Sequence, residues 1–448
     1  MGGLAFSSGP DPLHTPRMPK GVYLEVKHRC FEILKTLFEV VESPIDGPGK
    51  TDFGDVDILL FGPKSHRVSK EDMIESLKAA LGATRTIVER SEETALNLAI
   101  PWPTSNPPPL TSDCSLPLPD SIEDTQEASQ DKHIQVDVRV CRDMHRLRWT
   151  LFKHAHGDIW NMIGSTIRPY GLTVDEEALW LRIPEVEKNN KRQAKIMLSS
   201  DPDQILRFVD LPSSEYWKGP FEDFHAMAEY VAQCRMFWVP PAETQEGQEA
   251  AEARPSEDRK KLKANDRRRM NLRPGFRRWI DEFYPECRQR GRYLEKKTTR
   301  EQITQEAFET FGVEEEFMQR RREFLLEQQR DYIWNSVIKE AIPRPDDNSD
   351  AQAIQYRGVL VKAFKKIILE DDNRYGIVRP SDIKDKEGFF IPENVVDFIV
   401  RNEKEVAKVA LDQQHAAFVE KKAGKEVKTA EVKESGESST QTQEGDAP

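Results

Sequence analysis

The chain has 448 residues, of which 32% are charged and only 37% are hydrophobic, and its formal net charge is −12. This length predicts two or three domains, and the low apolar fraction predicts highly solvated or disordered segments around a modest core. No apolar stretch approaches the roughly 18 residues of a membrane span. The five cysteines are widely spaced and form no C-x-x-C, which argues against a zinc finger or a disulfide framework. We therefore expect an intracellular protein, cytoplasmic or nuclear, without a membrane partner.

The first part of the chain alternates between helix and strand patterns. Apolar residues at three- and four-residue steps predict a helix over 23–41, and a Pro- and Gly-rich turn follows over 44–49. Ser69 and Gly82 are the predicted N-cap and stop of a second helix. Further strands are predicted over 84–88 and 95–100. This alternation predicts an α/β (α+β) unit with a mixed sheet and flanking helices.

An acidic motif lies where the first long strand is predicted. In the segment GKTDFGDVDILLF, Asp55 and Asp57 stand two residues apart at the head of an apolar run. Side chains at i and i+2 point to the same face of a strand, so these two carboxylates project together. They repel each other unless a cation lies between them. Oxygen ligands of this kind predict a site for Mg²⁺ or Mn²⁺.

A third carboxylate, Asp137, lies in a second strand pattern. The segment HIQVDVRVC alternates apolar and polar residues over 133–141, which predicts a half-buried strand. Asp137 shares a face of this strand with Gln135 and Arg139. If the strand pairs beside the first one, its carboxylate converges with those of Asp55 and Asp57.

These residues resemble a known superfamily. The pattern G-D-h-D-h with a later h-D-h strand is similar to that of the polymerase-β-type nucleotidyltransferases. The chain resembles still more closely the nucleotidyltransferases of large phages and some microbes, over roughly residues 1–240. Further segments that carry the resemblance are Gly2–Phe6, Lys50, His156–Leu172 and Ser199–Leu211.

The resemblance implies a nucleotidyltransferase-like fold and a two-metal mechanism. Asp55 and Asp57 would hold two Mg²⁺ (or Mn²⁺) ions, and Asp137 would bind the catalytic ion and help to deprotonate the attacking hydroxyl. A nucleoside monophosphate would pass from an NTP to a hydroxyl acceptor, and pyrophosphate would leave. The acceptor would be an RNA end or another hydroxyl, including one on a protein or a small molecule.

One part of the motif departs from the superfamily, in which a Gly-Ser pair at a helix start holds the nucleotide phosphates. Here the nearest equivalent is Gly47-Pro48-Gly49, which has no serine. Lys50 and the loop amides could take the place of the serine. The nucleotide-binding candidates are Gly47, Gly49, Lys50 and Gly54. The departure leaves open an alternative, a catalytically inactive protein of this fold that serves as an RNA-binding or scaffold protein.

A histidine-rich segment invites a second metal hypothesis. His154, His156 and Asp158 form an H-x-H-x-D cluster, but ligands at this spacing need a strand. The surrounding pattern is that of a loop entering a helix. We therefore expect Asp158, or Gly157 before it, to mark a helix start.

A charge reversal follows a polar segment after residue 240. From Arg259 to Arg300 there are 16 Lys or Arg against 5 Asp or Glu, and aromatic residues are interleaved. Such a stripe is typical of surfaces that bind RNA or single-stranded nucleic acid. The candidate contacts are Arg267, Arg268, Arg269, Arg273, Arg277 and Arg278. The alternative is a solvated helix face above an aromatic core, because Phe276, Trp279, Ile280 and Phe283 have helical spacing.

The rest of the chain reads as helical, with patterns over 308–342, 356–369 and 395–411. The predicted organisation is a nucleotidyltransferase-like catalytic domain at 1–150 with a disordered insertion at 101–131, an associated α+β subdomain at 151–240, a linker at 241–257, a basic, mostly helical domain at 258–420 and a disordered tail at 421–448.

Overall fold

The chain is a mixed α/β protein in two units, as seen in a computed structural model. By their contacts the residues divide into Met1–Glu315 and Glu316–Pro448. The basic helical domain predicted at 258–420 is divided by this boundary, and its residues 270–315 belong to the first unit. The predicted linker, Arg267–Arg269 and most of the predicted insertion lie outside the described residues. The structure describes residues 3–8, 10–65, 69–90, 93–103, 132–240, 270–347 and 350–437.

The elements of the first unit alternate between strands and helices and end in a run of helices. In chain order they are β1 (Met18–Pro19), α1 (Lys20–Leu37), β2 (Phe38–Glu42), β3 (Asp52–Phe53), β4 (Asp55–Pro63), α2 (Lys70–Leu81), β5 (Arg85–Val88), β6 (Thr94–Pro101), β7 (His133–Val140), α3 (Met144–His154), α4 (Ile159–Ile167), a 3₁₀ turn (Arg168–Tyr170), β8 (Leu172–Val174), β9 (Leu179–Arg182), α5 (Pro184–Glu187), β10 (Lys195–Ser199), α6 (Pro202–Phe208), α7 (Ser213–Trp217), α8 (Phe224–Ala232), α9 (Pro274–Arg278), a π-helical turn (Trp279–Phe283), α10 (Tyr284–Gln289) and α11 (Arg300–Phe311).

A five-stranded mixed sheet with the order β2-β4-β7-β6-β5 forms the centre of the first unit. Its only parallel neighbours, within the described residues, are β4 and β7, and β7 lies between β4 and β6. Val56, Ile58 and Leu60 of β4 belong to the core that also contains residues of α1 and α2. The alternate residue Leu59 packs with Leu147 of α3 on the opposite face. The sheet is therefore covered by helices on both faces.

Local signals explain where two helices begin, and α2 begins as predicted. The Ser69 side chain accepts a hydrogen bond from the backbone N–H of Asp72, and Gly82 ends α2 in the left-handed conformation. Asp201 caps α6 in the same way, with Pro202 at its first position. These starts depend on contacts within a few residues, so the sequence pattern is enough to locate them.

The first predicted helix is too long. α1 ends at Leu37, and Phe38–Glu42 is instead the strand β2, which pairs antiparallel with β4. The segment Phe-Glu-Val-Val-Glu contains β-branched and aromatic residues, which favour strands. Its pairing with β4 is a contact with a distant part of the sequence, and that contact overrides the helical periodicity.

The second unit is helical and has its own core. Its elements are α12 (Glu314–Tyr332), a π-helical stretch (Ile333–Ile338), α13 (Lys339–Ala341), α14 (Ala351–Glu370), two 3₁₀ turns (Asn373–Tyr375 and Ser381–Ile383) and α15 (Pro392–Glu437). Leu360 and Phe364 of α14 pack in one buried cluster with Ile399 of α15. None of the described helices is long and apolar enough to cross a membrane.

The last helix extends further than the sequence predicts. α15 continues to Glu437, whereas the disordered tail is predicted from residue 421, and residues 438–448 lie outside the described part. The Glu and Lys residues that lower the hydropathy of this stretch have high helix propensity, as do its Ala residues. Polar composition alone therefore does not distinguish an exposed helix from a disordered segment.

Candidate active site

The register of β4 and β7 brings the three predicted aspartates to one face of the sheet. Asp57 lies directly opposite Asp137, and Asp55 lies opposite Gln135. These residues alternate with the core residues of their strands, so their side chains project away from α1 and α2. Both strands need their apolar halves buried, and this burial fixes the register. A slip of one residue would turn the carboxylates toward the core.

Gln135 orients the third carboxylate. Its side-chain Nε2 donates to both oxygens of Asp137, at 2.8 and 3.1 Å. Its Oε1 accepts a hydrogen bond of 2.9 Å from the backbone N–H of Ala5. That second bond fixes the orientation of the amide, because only the NH₂ end is left to face Asp137. Gln135 shares a face with Asp137 in the sequence pattern, but alternation alone does not mark it as a site residue.

The N-terminal segment packs closely against the start of β4. Gly3 has a positive φ of 86°. A Cβ atom there would lie 2.1 Å from the carbonyl oxygen of Gly54, so no other residue fits without movement. The Thr15 hydroxyl donates to the Gly3 carbonyl at 3.1 Å. These contacts hold the chain where Ala5 can reach Gln135.

Neighbouring carboxylates contribute to raised pKa values of Asp57 and Asp137. Loss of hydration in the cleft, and then the charge of Asp55, raise the pKa of Asp57 to about 6. Asp57 remains open to solvent on the cleft side, so protein surrounds it only in part. Burial and the charge of Asp57 raise the pKa of Asp137 to about 8, against the hydrogen bond from Gln135, which lowers it. Bringing a cation between these groups would relieve the repulsion.

The raised pKa values predict that the metal-free protein is less stable at high pH. An acid whose pKa is higher in the folded state than in the unfolded state stabilises the fold below its unfolded pKa of about 4. That contribution is lost as the pH rises through the folded value, about 8 for Asp137. We expect the free energy of unfolding to decrease by about 2 kcal/mol between pH 5 and pH 8. The decrease is no larger because water still reaches the half-buried side chain.

Denaturation with urea at both pH values, with and without Mg²⁺, measures this effect. Asp137→Asn should reduce the dependence on pH, and millimolar Mg²⁺ should stabilise the wild type at pH 8. Equal pH dependence in the variant and the wild type would contradict the assignment.

A cleft of about 710 Å³ opens in front of Asp55 and Asp57. Gly47, Lys50 and Gly54, three of the four nucleotide-binding candidates, also line it. The fourth, Gly49, lies in the same loop with a positive φ of 61° but does not line the cleft.

The ammonium group of Lys50 lies at the same end of the cleft as the acidic pair. Lys50 Nζ lies 5.3 Å from the centre of the Phe53 ring. Tyr23 stacks on the other side of this contact, with ring centroids 3.8 Å apart from Phe53. The positive charge of Lys50 lowers the pKa of Asp57 and so partly offsets the effects that raise it. The cleft thus combines carboxylates with a positioned cation.

Two members of the histidine cluster, His156 and Asp158, make contacts within the fold. Asp158 is the N-cap residue of α4, as predicted, and its side chain accepts a hydrogen bond of 2.8 Å from the backbone N–H of Gly275. His156 is fully buried in a left-handed conformation, and its Nε2 lies 2.8 Å from the carbonyl oxygen of Tyr216. Burial lowers the pKa of both His154 and His156, so they are neutral at pH 7.

The donor set at the sheet suits a hard divalent cation. No three His, Cys, Asp or Glu side chains of the described ranges form a ready-made metal cage. Mg²⁺ does not require one, because it commonly takes one or two carboxylates and completes its shell with water and substrate phosphates. Asp55, Asp57 and Asp137 supply only oxygen ligands, and their mutual repulsion favours binding of a cation.

The aromatic residues of the basic segment form a core. Trp279 is fully buried, and Phe283 and Phe276 are 1% and 4% exposed. Trp279 stacks on Phe283 with centroids 4.9 Å apart, and Phe237 packs against it at 5.0 Å. They are therefore not available to stack on bases. The interpretation of these aromatics as a helical core is the correct one.

The predicted arginine contacts have different surroundings. Arg273 and Arg278 line the cleft that contains Asp55 and Asp57. Arg277 instead donates through Nε to the carbonyl oxygen of Met270, at 2.8 Å. No local pattern in the sequence indicates that Arg273 and Arg278 share a cleft with the acidic pair.

Comparison of the chain with models of protein families gave no match, and comparison with curated proteins gave none either. The function therefore has to be inferred from the cleft itself. Asp55 and Asp57 line it, Asp137 lies beside Asp57 on the neighbouring strand, and Lys50, Arg273 and Arg278 are among its basic lining residues.

Proposed function

We propose that the protein is a metal-dependent nucleotidyltransferase with a polymerase-β-type fold. It would transfer a nucleoside monophosphate from an NTP to a hydroxyl acceptor, an RNA end or another alcohol. The observation that carries the proposal is the parallel register in which Asp57 lies opposite Asp137 and Asp55 lies two residues earlier on the same strand, opposite Gln135. Carboxylates in this arrangement, with Lys50 lining the same cleft, suit Mg²⁺ and the phosphates bound to it.

Each residue has a defined part in this mechanism. Asp55 and Asp57 would hold two Mg²⁺ or Mn²⁺ ions, which stabilise the attacking and leaving oxygens of an in-line displacement. Asp137 would bind the catalytic ion and accept the proton of the acceptor hydroxyl. Gln135 keeps the Asp137 carboxylate in place. Lys50 offers positive charge to the phosphates.

One observation favours a second candidate function. The Gly47-Pro48-Gly49 loop has no serine to hold the nucleotide phosphates. A protein that has this fold but no longer carries out the chemistry would serve as an RNA-binding or scaffold protein. The two candidates differ in whether the carboxylates are needed for any measurable activity.

Transfer of label from each α-labelled NTP tests the proposal. The wild type is incubated with Mg²⁺ or Mn²⁺ and an RNA pool, and label in RNA and in the protein itself is measured. We expect a metal-dependent labelled product that the double variant Asp55→Asn/Asp57→Asn does not form. If no NTP labels any acceptor and the protein does not bind Mg²⁺-NTP, the enzyme proposal is wrong. RNA binding that the double variant retains would then support the scaffold function.

A further inference from the structure

The segment Leu272–Arg278 forms a wall of the cleft that contains Asp55 and Asp57. It reaches this position from far along the chain and is fixed there through Gly275. The Gly275 N–H donates to Asp158 Oδ2 at 2.8 Å. A Cβ atom at Gly275 would lie 3.0 Å from the same side chain, so glycine allows this close approach. The Phe276 side chain of this segment is buried, with 4% of its surface exposed. The wall is therefore part of the folded unit.

Two arginines of this wall carry their charge at the cleft. The Arg273 side chain is 51% exposed, and its Nη1 lies 3.7 Å from Asp158 Oδ1, which is longer than a hydrogen bond. No hydrogen bond engages its guanidinium group within the described residues, so these residues leave most of its donors to a ligand. Arg278 is 49% exposed and lies over the Phe224 ring, 4.1 Å from its centre. Within the described residues only its Nε donates a hydrogen bond, to Glu282 at 2.8 Å.

The charges of the cleft are complementary to a metal-bound polyanion. A cation on Asp55 and Asp57 would offset their negative charge. The other charged lining residues are six basic ones and three acidic ones (Arg17, Lys50, Lys153, Arg168, Arg273 and Arg278 against Asp46, Asp158 and Glu176), so the cleft would then be positive. A guanidinium group has a planar fork of donors that matches the oxygens of a phosphate. Stacking on Phe224 holds the plane of Arg278 and so reduces the entropy lost on binding.

We propose that Arg273 and Arg278 bind phosphate groups of the substrates in this cleft. The proposal rests on the proposed function for the identity of those substrates. Two sources have this chemistry, the triphosphate of the NTP and the backbone of an RNA acceptor. Neither arginine would take part in the chemical step itself.

Equilibrium binding of two probes tests the proposal. The probes are a fluorescent ATP analogue with Mg²⁺ and a single-stranded RNA 20-mer without metal, each measured at several salt concentrations. Arg273→Ala/Arg278→Ala should weaken binding of at least one probe by about tenfold or more. If RNA is the ligand, the slope of log K against log salt should also decrease by about 1.4, because two phosphate contacts are lost.

Matched variants separate this effect from general charge and from folding. Arg290→Ala removes a 60% exposed arginine from the same basic segment but outside the cleft, and it should leave both affinities unchanged. Arg278→Lys keeps a cation near Phe224 but removes the forked guanidinium group. It should therefore weaken binding less than Arg278→Ala does. Circular dichroism checks that each variant is folded.

The outcomes distinguish the two sources. A loss confined to the ATP analogue assigns the arginines to the triphosphate, and a loss confined to RNA assigns them to the acceptor. Affinities within twofold of the wild type for both probes, or binding of neither probe by the wild type, would overturn the proposal. Neither binding assay requires turnover. A wild type that transfers no nucleotide can therefore still show phosphate binding by the arginines, and an active transferase can still show that these arginines do not bind phosphate.

Discussion

Substitution of Asp137 by Asn should reduce the rate of nucleotidyl transfer by about 10³-fold or more and leave the affinity for Mg²⁺-NTP within about threefold. Asn has nearly the same shape but carries no negative charge, so it neither holds the catalytic ion well nor accepts a proton. A metal ion and a general base each contribute several kcal/mol to the transition state, and 1.36 kcal/mol corresponds to a factor of ten. Under the proposed mechanism, binding of the nucleotide would depend mainly on Asp55, Asp57 and Lys50.

Single-turnover kinetics with saturating NTP measures the rate, and fluorescence titration measures the affinity. Asp397→Asn is a suitable control, because it makes the same change on an exposed helix face of the second unit. A variant of Asp137 that retains more than a tenth of the wild-type rate would exclude it from the chemical step. Loss of nucleotide affinity in parallel with the rate would instead indicate a damaged cleft.

Substitution of Trp279 by Ala should destabilise the first unit by about 3–5 kcal/mol, the range for removal of a large buried aromatic side chain. Trp279 is fully buried and contacts Phe237, Phe283 and Tyr284 with ring centroids 5.0, 4.9 and 5.4 Å away. The cavity would be enclosed by rings that cannot easily collapse into it. Because α9 precedes Trp279 directly, we also expect phosphate ligands to bind the arginine wall more weakly in this variant.

Chemical denaturation followed by circular dichroism measures this change, and two transitions are resolved if the units unfold separately. Leu294→Ala, which truncates a 38% exposed side chain, should cost less than about 1 kcal/mol. If Trp279→Ala is as stable as that control, the aromatic cluster contributes little to the fold.

The sequence predicts those parts of the site that depend on local periodicity. The spacing of Asp55 and Asp57 and the alternation around Asp137 each indicate a strand and the face on which the carboxylates lie. Helix caps such as Ser69 are equally local. These features need only a few neighbouring residues, and burial of the apolar half of each strand is enough to fix them.

Contacts between distant segments are what the sequence alone does not reveal. β2 follows the helix α1 without a break and becomes a strand only because β4 lies beside it. Ala5 reaches Gln135 across 130 residues, and Gly275 reaches Asp158 across 117. Nothing in the composition of the basic segment distinguishes Arg273, which lines the cleft, from Arg290, which does not.

The parallel pairing of β4 and β7 has a consequence for folding. In chain order α2 and the β5–β6 hairpin come between them, so β7 takes its place between β4 and β6 from far along the sequence. Pairing across such a sequence distance is slow, because the entropy of closing the loop is lost before the strand contacts form. A ligand that bridges Asp57 and Asp137 can therefore recognise only a chain in which this insertion is complete. Such a ligand would act late, by slowing the unfolding of a finished sheet, and would not speed its formation.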